Sequence, residues 1–486
     1  MIFNGIDLSP YLKIIDIQGR GFIENNLSLI NAPHMDITHL SNVQKKPKPI
    51  KIKAQVIVQN RSELRERIDF INDILDVNEE VPIIFPDEPN LTYYGIPEAS
   101  TQSDERFFLF NGSITIRRTK PYKYGSEKTE LFNGDTVTIN NEGSTEAEPI
   151  IELDVLEPIT FAMVSNGEEY NMIGKPADDD VEVVDTKQLV YETSGEDLSD
   201  WNSRPREEES EFVDPVVGGV TDGTFTFDGT GIIVDDYGEP FEGRSGYGPA
   251  IWRELPQPVQ NFELEAILDT RTDFLEENFR MEIYLFDEGI NNIGKMGIRD
   301  RFKDFHNRSG LARVGAYVDD VTRYFIGKAN YDYNNLGKSS MFFFRWKREG
   351  DLFTFYIAEV VNGKHVNTIT RTYHDRTGEW TGRVRYIQLF VRSWKNRNRP
   401  YLARFNSIRV WELTETEIDQ TPYIAYPGDK ILFDHVSDEI LLNGEDTMSE
   451  KDFGGQFFDL KKGENVLALL PAQSLSGNVR YRPRIR

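Results

Sequence analysis

Cysteine is absent from the chain, which excludes disulfides, thiolate nucleophiles, cysteine-ligated zinc and iron–sulfur clusters. A small cross-linked secreted scaffold is excluded with them. Histidine is scarce: six are scattered along the chain, no Ser-His-Asp set is recognisable, and nothing marks one as a general base. Long apolar runs are missing as well. None approaches the roughly 20 residues of a membrane helix, and the opening Met1-Ile2-Phe3-Asn4-Gly5 reads as no signal peptide. Positive charge is in deficit, with 55 Lys and Arg against 81 Asp and Glu, a net charge of −26 that argues against a general nucleic-acid binder.

What remains is a large, aromatic-rich chain. Its 486 residues correspond to about three domains at roughly 150 residues each. The hydrophobic set is 38% and aromatics are 12%, enough for packed cores and leaning toward β structure, because flat and β-branched side chains suit a pleated surface. The acidity is local. Between Glu142 and Glu242 there are 28 acids against 4 bases, whereas from Arg299 to Arg409 there are 22 bases against 10 acids. Segments of opposite sign point to modules with separate electrostatic tasks.

One helix stands out, from about Arg61 to Asp76. Asn60 can cap it while Glu63 reaches back to the cap N–H, and Leu64, Ile68, Ile71 and Leu75 give one apolar face. Strands are expected around Arg106–Phe110 and Ile114–Arg118, joined by an Asn111-Gly112 hairpin turn. The acid-, Ser- and Pro-rich stretch from Gly174 to Pro215 reads as a linker. Beyond it, at least seven strands up to Leu413 imply a two-sheet sandwich: Thr224–Phe227, Phe262–Leu268, Arg280–Phe286, Met341–Trp346, Leu352–Ala358, Tyr386–Val391 and Ser407–Trp411. The tail from Glu415 is β again.

The two ends carry linked motifs. Phe3-Asn4-Gly5-Ile6-Asp7-Leu8, the Gly19-Arg20-Gly21 loop, the capped helix, Phe85-Pro86-Asp87-Glu88-Pro89, Tyr93-Tyr94-Gly95 and Pro121-Tyr122-Lys123-Tyr124-Gly125 occur in that order. In this order they resemble the N-terminal domain of the distal tail proteins of long-tailed bacteriophages of Gram-positive hosts. Asn141-Glu142-Gly143-Ser144-Thr145, then Pro427-Gly428-Asp429, Leu442-Asn443-Gly444, Leu460-Lys461-Lys462-Gly463 and Tyr481-Arg482-Pro483-Arg484 resemble the galectin-like second domain of that family.

The resemblance implies a mainly β protein. Residues 1–130 would be a β-rich, ring-forming domain with one helix. Residues 131–185 and 414–486 would form a galectin-like sandwich, interrupted at 186–413 by a concanavalin-like or jelly-roll sandwich of carbohydrate-binding type. An insertion of that kind needs its own ends close together, and Gly223–Phe227 with Phe405–Trp411 are the expected neighbours.

Catalytic motifs are few. Glu152-Leu153-Asp154-Val155-Leu156-Glu157 resembles the carboxylate cluster of laminarinase-type retaining glycosidases, which need carboxyl groups about 5–5.5 Å apart. On a regular strand Glu152 and Asp154 share a face while Glu157 points away, and an ordinary strand with exposed carboxylates accounts for the same residues. His34, Asp36 and His39 lack a third convergent ligand. Asp178-Asp179-Asp180 and Asp235-Asp236 lack the alternating spacing of a calcium loop, so no cofactor is expected. Gly243 to Gly248 is glycine-rich without P-loop spacing.

The insert's aromatic and basic residues offer binding chemistry instead. Trp394, Asn396, Arg397 and Arg399 form a charged, amide-rich loop beside an indole, and Arg301, Lys303, His306 and Arg308 add further cations. Sugars stack on aromatic faces and hydrogen-bond to amides and guanidinium groups, and anionic wall polymers add charge pairing. The expected protein is a non-enzymatic virion component at the distal end of the tail, made in the host cytoplasm. Family resemblance implies a homo-hexameric ring that contacts the tail tube protein, a tail-associated tip protein and host wall polysaccharide or teichoic acid, with no nucleic acid and no membrane insertion. A wall glycosidase using Glu152, Asp154 and Glu157 or the inserted sandwich is the alternative.

Overall fold

The computed structural model describes residues 1–22, 24–31, 38–106, 108–177, 182–203, 220–240, 246–302, 304, 308–317, 324–331, 340–414 and 420–486. The architecture is mainly β, with a single α-helix among the described residues. In the N-terminal sheet the strand Ile50–Ile57 alternates strictly: Ile50, Ile52, Ala54 and Val56 are buried, while Lys51 and Lys53 face water. It lies between Lys13–Gln18 and Leu109–Arg117, and the sheet continues through Thr92–Arg106, Val81–Ile84 and Ile2–Phe3 to Ile6–Asp7. The helix Arg61–Leu75 packs Leu64 and Ile71 onto this core, flanked by Ile68 and Leu75. Its cap differs in one detail from expectation. Asn60 Oδ1 accepts the Glu63 N–H at 2.9 Å, but the Glu63 carboxylate takes the N–H of Gln59 at 3.0 Å, one residue before the cap.

The expected Asn111-Gly112 turn is overturned. Both residues lie inside Leu109–Arg117, paired with Gln55 and Ala54 on one side and with Asp104 and Gln102 on the other. The chain reverses between Arg106 and Leu109. Gly112 serves close approach rather than a turn, since a Cβ there would press on the Phe110 ring at 2.7 Å and the Thr101 carbonyl at 3.1 Å. A separate hairpin, Glu24–Asn31 with Thr38–Lys46, pairs with no other strand among the described residues. Leu27, Leu29, Ile30, Leu40 and Val43 on it are each between 42% and 57% exposed.

The second unit is a sandwich built from two distant stretches of chain. One sheet runs Lys128–Leu131, Leu475–Tyr481, Pro149–Val155, Lys430–Asp434, Glu439–Leu442 and Glu445–Asp446; the other runs Thr136–Asn141, Gly463–Leu470, Phe161–Ser165 and Tyr170–Gly174. Ile151, Leu153 and Val155 meet Leu467, Leu469, Phe433 and Val479 between the sheets.

The largest sandwich lies between these halves. Its eight-stranded sheet is centred on Phe262–Arg271 and Leu402–Leu413, and its nine-stranded sheet on Val384–Trp394 and Phe279–Asp287. Phe262, Trp346, Phe355, Ile283 and Leu389 are all fully buried between them. Its ends do lie together, but the neighbours differ from those expected. Lys187–Thr193 pairs directly with Leu402–Leu413, whereas Thr224–Phe227 is two strands away, beyond Ile232–Asp236. The Thr414 N–H donates to the Thr186 carbonyl at 3.0 Å, and below it Glu182–Val184 runs parallel to Gln420–Pro422. The stretch read as a linker therefore contains a strand of the insert, and its Tyr191 and Trp201 join the core. Sparse apolar residues hid it, because an edge strand needs few. The insert also touches the second sandwich directly: Arg345 bonds Glu445 at 3.0 Å, Lys364 bonds Glu439 at 3.0 Å, and the His365 N–H donates to the Gly444 carbonyl at 2.8 Å.

Candidate ligand face of the inserted sandwich

Strand Val384–Trp394 organises the site by simple alternation. Ile387, Leu389 and Val391 point into the core, so Tyr386, Gln388, Phe390, Arg392 and Trp394 share the outer face. Its neighbour Phe279–Asp287 does the same, placing Arg280, Glu282, Tyr284 and Phe286 outward in register with Arg392, Phe390, Gln388 and Tyr386. The face is therefore divided. One end is cationic and the other is aromatic.

At the cationic end Glu282 is fully buried and accepts from Lys295 Nζ at 2.8 Å, Tyr284 Oη at 2.9 Å, and Arg392 and Arg280 at 3.2 and 3.5 Å. Against the cost of burial, these three cations hold its carboxyl well below the usual carboxylate range. Arg299 on the next strand is pushed down to about 10 by burial and by the like charges of Arg280 and Arg301. Removing Glu282 alone would leave buried cations without their shared partner, a loss of about 3–5 kcal/mol.

At the aromatic end Tyr284, Phe286, Phe390 and Ala250 form a small cluster outside the main core, with Trp252, Tyr386 and Ile290 around it. Trp252 and Tyr386, both partly exposed, meet edge to face at 5.8 Å. Gln388 is registered beside both Trp252 and Tyr284, and neither polar atom of its buried amide has a partner. Partly exposed rings beside a buried, unsatisfied amide suit the apolar face of a sugar.

The residues singled out by sequence lie at the opposite end of the same face. Trp394 closes the strand with the Arg280 guanidinium 5.9 Å from its ring. Asn396 is exposed in the following turn, which the Arg397 N–H closes by donating to the Trp394 carbonyl at 3.0 Å. Arg399 is exposed and spreads over Tyr237 at 5.0 Å. Arg301 lies over Phe302 at 5.2 Å. Asn278 joins the two loops, its N–H donating to Asn398 and its side chain to the Phe302 carbonyl at 2.8 Å. Lys303 and His306 fall outside the described residues.

Arg308 is buried rather than exposed: it is 2% exposed, set against Phe279 and donating to Thr272 Oγ1. Arg313, Arg348 and Arg392 are buried too. Much of the basic stretch is thus internal scaffolding, as in Arg348, whose guanidinium spans the Gln260 and Trp380 carbonyls. Sequence reasoning missed Trp252, Tyr386 and Gln388. The alternation in Tyr386-Ile-Gln-Leu-Phe-Val-Arg carried the signal for the last two, hidden because both faces of that strand are partly apolar.

The other candidates resolve simply. Glu152 is bonded by Arg480, and Asp154 by Lys430 at 2.6 Å, both on the outer face of the second sandwich; Glu157 lies exposed beyond the strand's end. Asp235 accepts from Thr224, and Asp236 from the Gly238 N–H. Asp178-Asp179-Asp180, His34, Asp36 and residues 243–245 lie outside the described residues, and His39 is in the hairpin. No cluster of three metal-binding side chains occurs among the described residues.

Comparison with known proteins bears on the two ends of the chain. Residues 6–117 match the phage tail protein RIFT-related domain family, and residues 404–484 match the siphovirus-type tail component C-terminal domain family. A curated relative, the distal tail protein of Bacillus phage SPP1, is 27% identical over 152 residues, covering 31% of this chain and 60% of that protein. The chain thus spans less than two thirds of that relative's length. The crystal structure of SPP1 Dit overlaps 36% of this chain and 73% of its own at 23% identity and a TM-score of 0.33. The CBM2 module of the evolved Dit of Lactobacillus casei BL23 phage J-1 overlaps 48% of this chain and all of its own at 14% identity and a TM-score of 0.39.

Proposed function

We propose that this chain, a siphovirus-type tail protein by the domains at its two ends, is the distal hub of a phage tail. In this reading it forms a homo-hexameric ring between the tail tube protein and a tail-associated tip protein, and the inserted sandwich holds host wall polysaccharide or teichoic acid. Its place is the virion, and its task is assembly and adhesion rather than turnover.

The observation that carries the reading is the isolated hairpin. A two-stranded sheet is marginal alone in water, and this one displays five aliphatic side chains about half exposed. Covering them with a neighbouring copy would contribute roughly 1 kcal/mol each, which supports a contact between chains. The pairing of Glu152 and Asp154 with cations supports a non-catalytic role for that strand. Six weak sugar sites on one ring gain avidity without strong individual affinity.

Native mass measurement tests the ring: six copies are expected, and a monomer at high concentration refutes it. Leu29→Asp with Leu40→Asp, a register pair in the hairpin, should give monomers with an otherwise native melt. Titration with host wall polysaccharide tests the insert. Trp252→Ala and Gln388→Leu should each weaken binding, and new reducing ends in the polysaccharide would overturn the non-catalytic reading.

A further inference from the structure

At the foot of the hairpin, where it meets the N-terminal sheet, lies a cavity of about 560 Å³ whose charge contradicts that of the whole chain. Arg20, Lys46, Lys48, Arg118, Lys123 and Arg486 line it, in a protein of net charge −26. Among the described residues three carboxylates form ion pairs with four of these six cations. Arg20 pairs with Asp87 at 2.7 Å, Lys123 pairs with Glu88, and Lys46 and Lys48 share Glu24 at 3.0 and 3.7 Å. Arg486 donates to the neutral Thr145 hydroxyl.

Arg118 is the telling residue. It is 7% exposed, its guanidinium lies 5.1 Å from the Tyr93 ring, and its Nη2 donates to the Tyr122 carbonyl at 2.6 Å. Its Nε has no partner, and neither does the Nε of Arg20. Glu80 acts on Arg118 only through space, and burial pushes the guanidinium below its ordinary value. Two arginine Nε–H groups are thus buried and unsatisfied in side chains that line a cavity with more cations than carboxylates. Orphaned donors on charged groups are costly unless something accepts from them.

We propose that this cavity is a socket for the carboxylates of an acidic peptide segment brought by another chain of the assembly. Its size suits several side chains rather than one small anion. Two of its cations, Lys46 and Lys48, belong to or directly follow the hairpin whose apolar side chains await cover, so the chain that covers the hairpin passes the socket. The socket rests on reading the hairpin as an interchain contact, but its test does not need the ring to form.

The test is fluorescence anisotropy of a labelled hexaglutamate peptide with the full chain, against a hexaserine peptide and inorganic phosphate. The glutamate peptide should bind, and binding should weaken between about 50 and 200 mM salt, because these charges are partly screened. Arg118→Gln should weaken it about tenfold or more, the scale of a lost charge-assisted hydrogen bond. Should Arg118→Gln fail to fold, Lys46→Gln with Lys48→Gln carries the test, since Lys46 is 60% exposed and its loss does not threaten the core. That pair should weaken binding several-fold, while Lys461→Gln, exposed on the second sandwich, should leave it unchanged. No binding by the native chain, or binding indifferent to the lysine pair, overturns the proposal. So does phosphate competing as well as peptide carboxylate, which would mark a simple anion hole. A native mass of six copies alongside any of these failures would refute the socket and leave the hub reading standing.

Discussion

His435 should make the second sandwich sensitive to mild acid. The side chain is 4% exposed, wedged between Phe457 and Phe458, and its Nδ1 accepts the Phe458 N–H at 2.8 Å. Because Nδ1 accepts that N–H, a second ring proton would face a donor and its charge would be buried without a counter-charge at the partnerless Nε2, so the neutral ring fits and the cation does not. Burial pushes its pKa down to about 4. In the unfolded chain the ring titrates near 6.5. As pH falls below that value the unfolded state takes up a proton that the folded state refuses, so stability is lost from about pH 6.5 down to about 4. Between pH 7.5 and pH 5 the loss is about 2 kcal/mol, or roughly 6–10 °C in the melting temperature of a unit of this size. The assay is thermal unfolding of the full chain at both pH values, following the transition of this sandwich, for the native protein and for His435→Asn. The Asn Oδ1 can still accept the Phe458 N–H but does not titrate. The variant should melt lower at pH 7.5 yet lose most of the shift between the two pH values. Equal shifts in both proteins would refute the argument.

Three further outcomes follow from the fold. Excising residues 187–413 and joining Thr186 to Thr414 through a short linker should leave a cooperative calorimetric transition, because those two residues are already hydrogen-bonded. Loss of that transition would show that the flanks depend on the insert. Gly444→Ala should loosen the insert from the second sandwich, since a Cβ there collides with the Gly363 carbonyl at a φ of +87°; solution scattering would register a broader particle, and an unchanged profile would contradict it. Asn60→Ala should cost about 1 kcal/mol in chemical denaturation of the N-terminal unit by removing the cap of Arg61–Leu75, and a loss below about 0.3 kcal/mol would mean that packing alone holds that helix end.

Local signals in the sequence were legible where one residue pattern decides the outcome. The helix was readable because four apolar residues and a cap agree over fifteen positions. Seven strands of the insert were readable, mostly from their aromatic runs, whereas others were not, among them Ala250–Val259, Asn292–Asp300, Arg308–Val314 and Lys364–His374, which are richer in polar residues or glycine. Gly112 misled because glycine serves both turns and close-packed strands, and only the Phe110 ring and the Thr101 carbonyl distinguish the two. The basic stretch misled for a related reason: charge is visible in sequence, but the carbonyls and the Glu282 carboxylate that draw Arg348 and Arg392 inward come from strands far away. Trp394, Arg397 and Arg399 were correctly grouped as one loop by adjacency, whereas Trp252 reaches the same face only through pairing with a strand more than a hundred residues away.

The split second sandwich sets a timetable for synthesis. Its early strands, Lys128–Leu131 to Tyr170–Gly174, end about 255 residues before Lys430–Asp434 arrives to complete their sheets. At about 5–20 residues per second that is a wait of roughly 13–50 s with open edges and half a core. The insert is translated in the meantime, and its closing strand Leu402–Leu413 lies beside Lys187–Thr193, so the pairing brings the waiting half and its late partners to one place. Glu152 and Asp154, whose cations Arg480 and Lys430 are not yet made, lie on the outer face of the unpaired strand through that interval. Charge on an exposed edge discourages pairing with the wrong chain. The local acidity thus guards a nascent half-domain until its other half is translated.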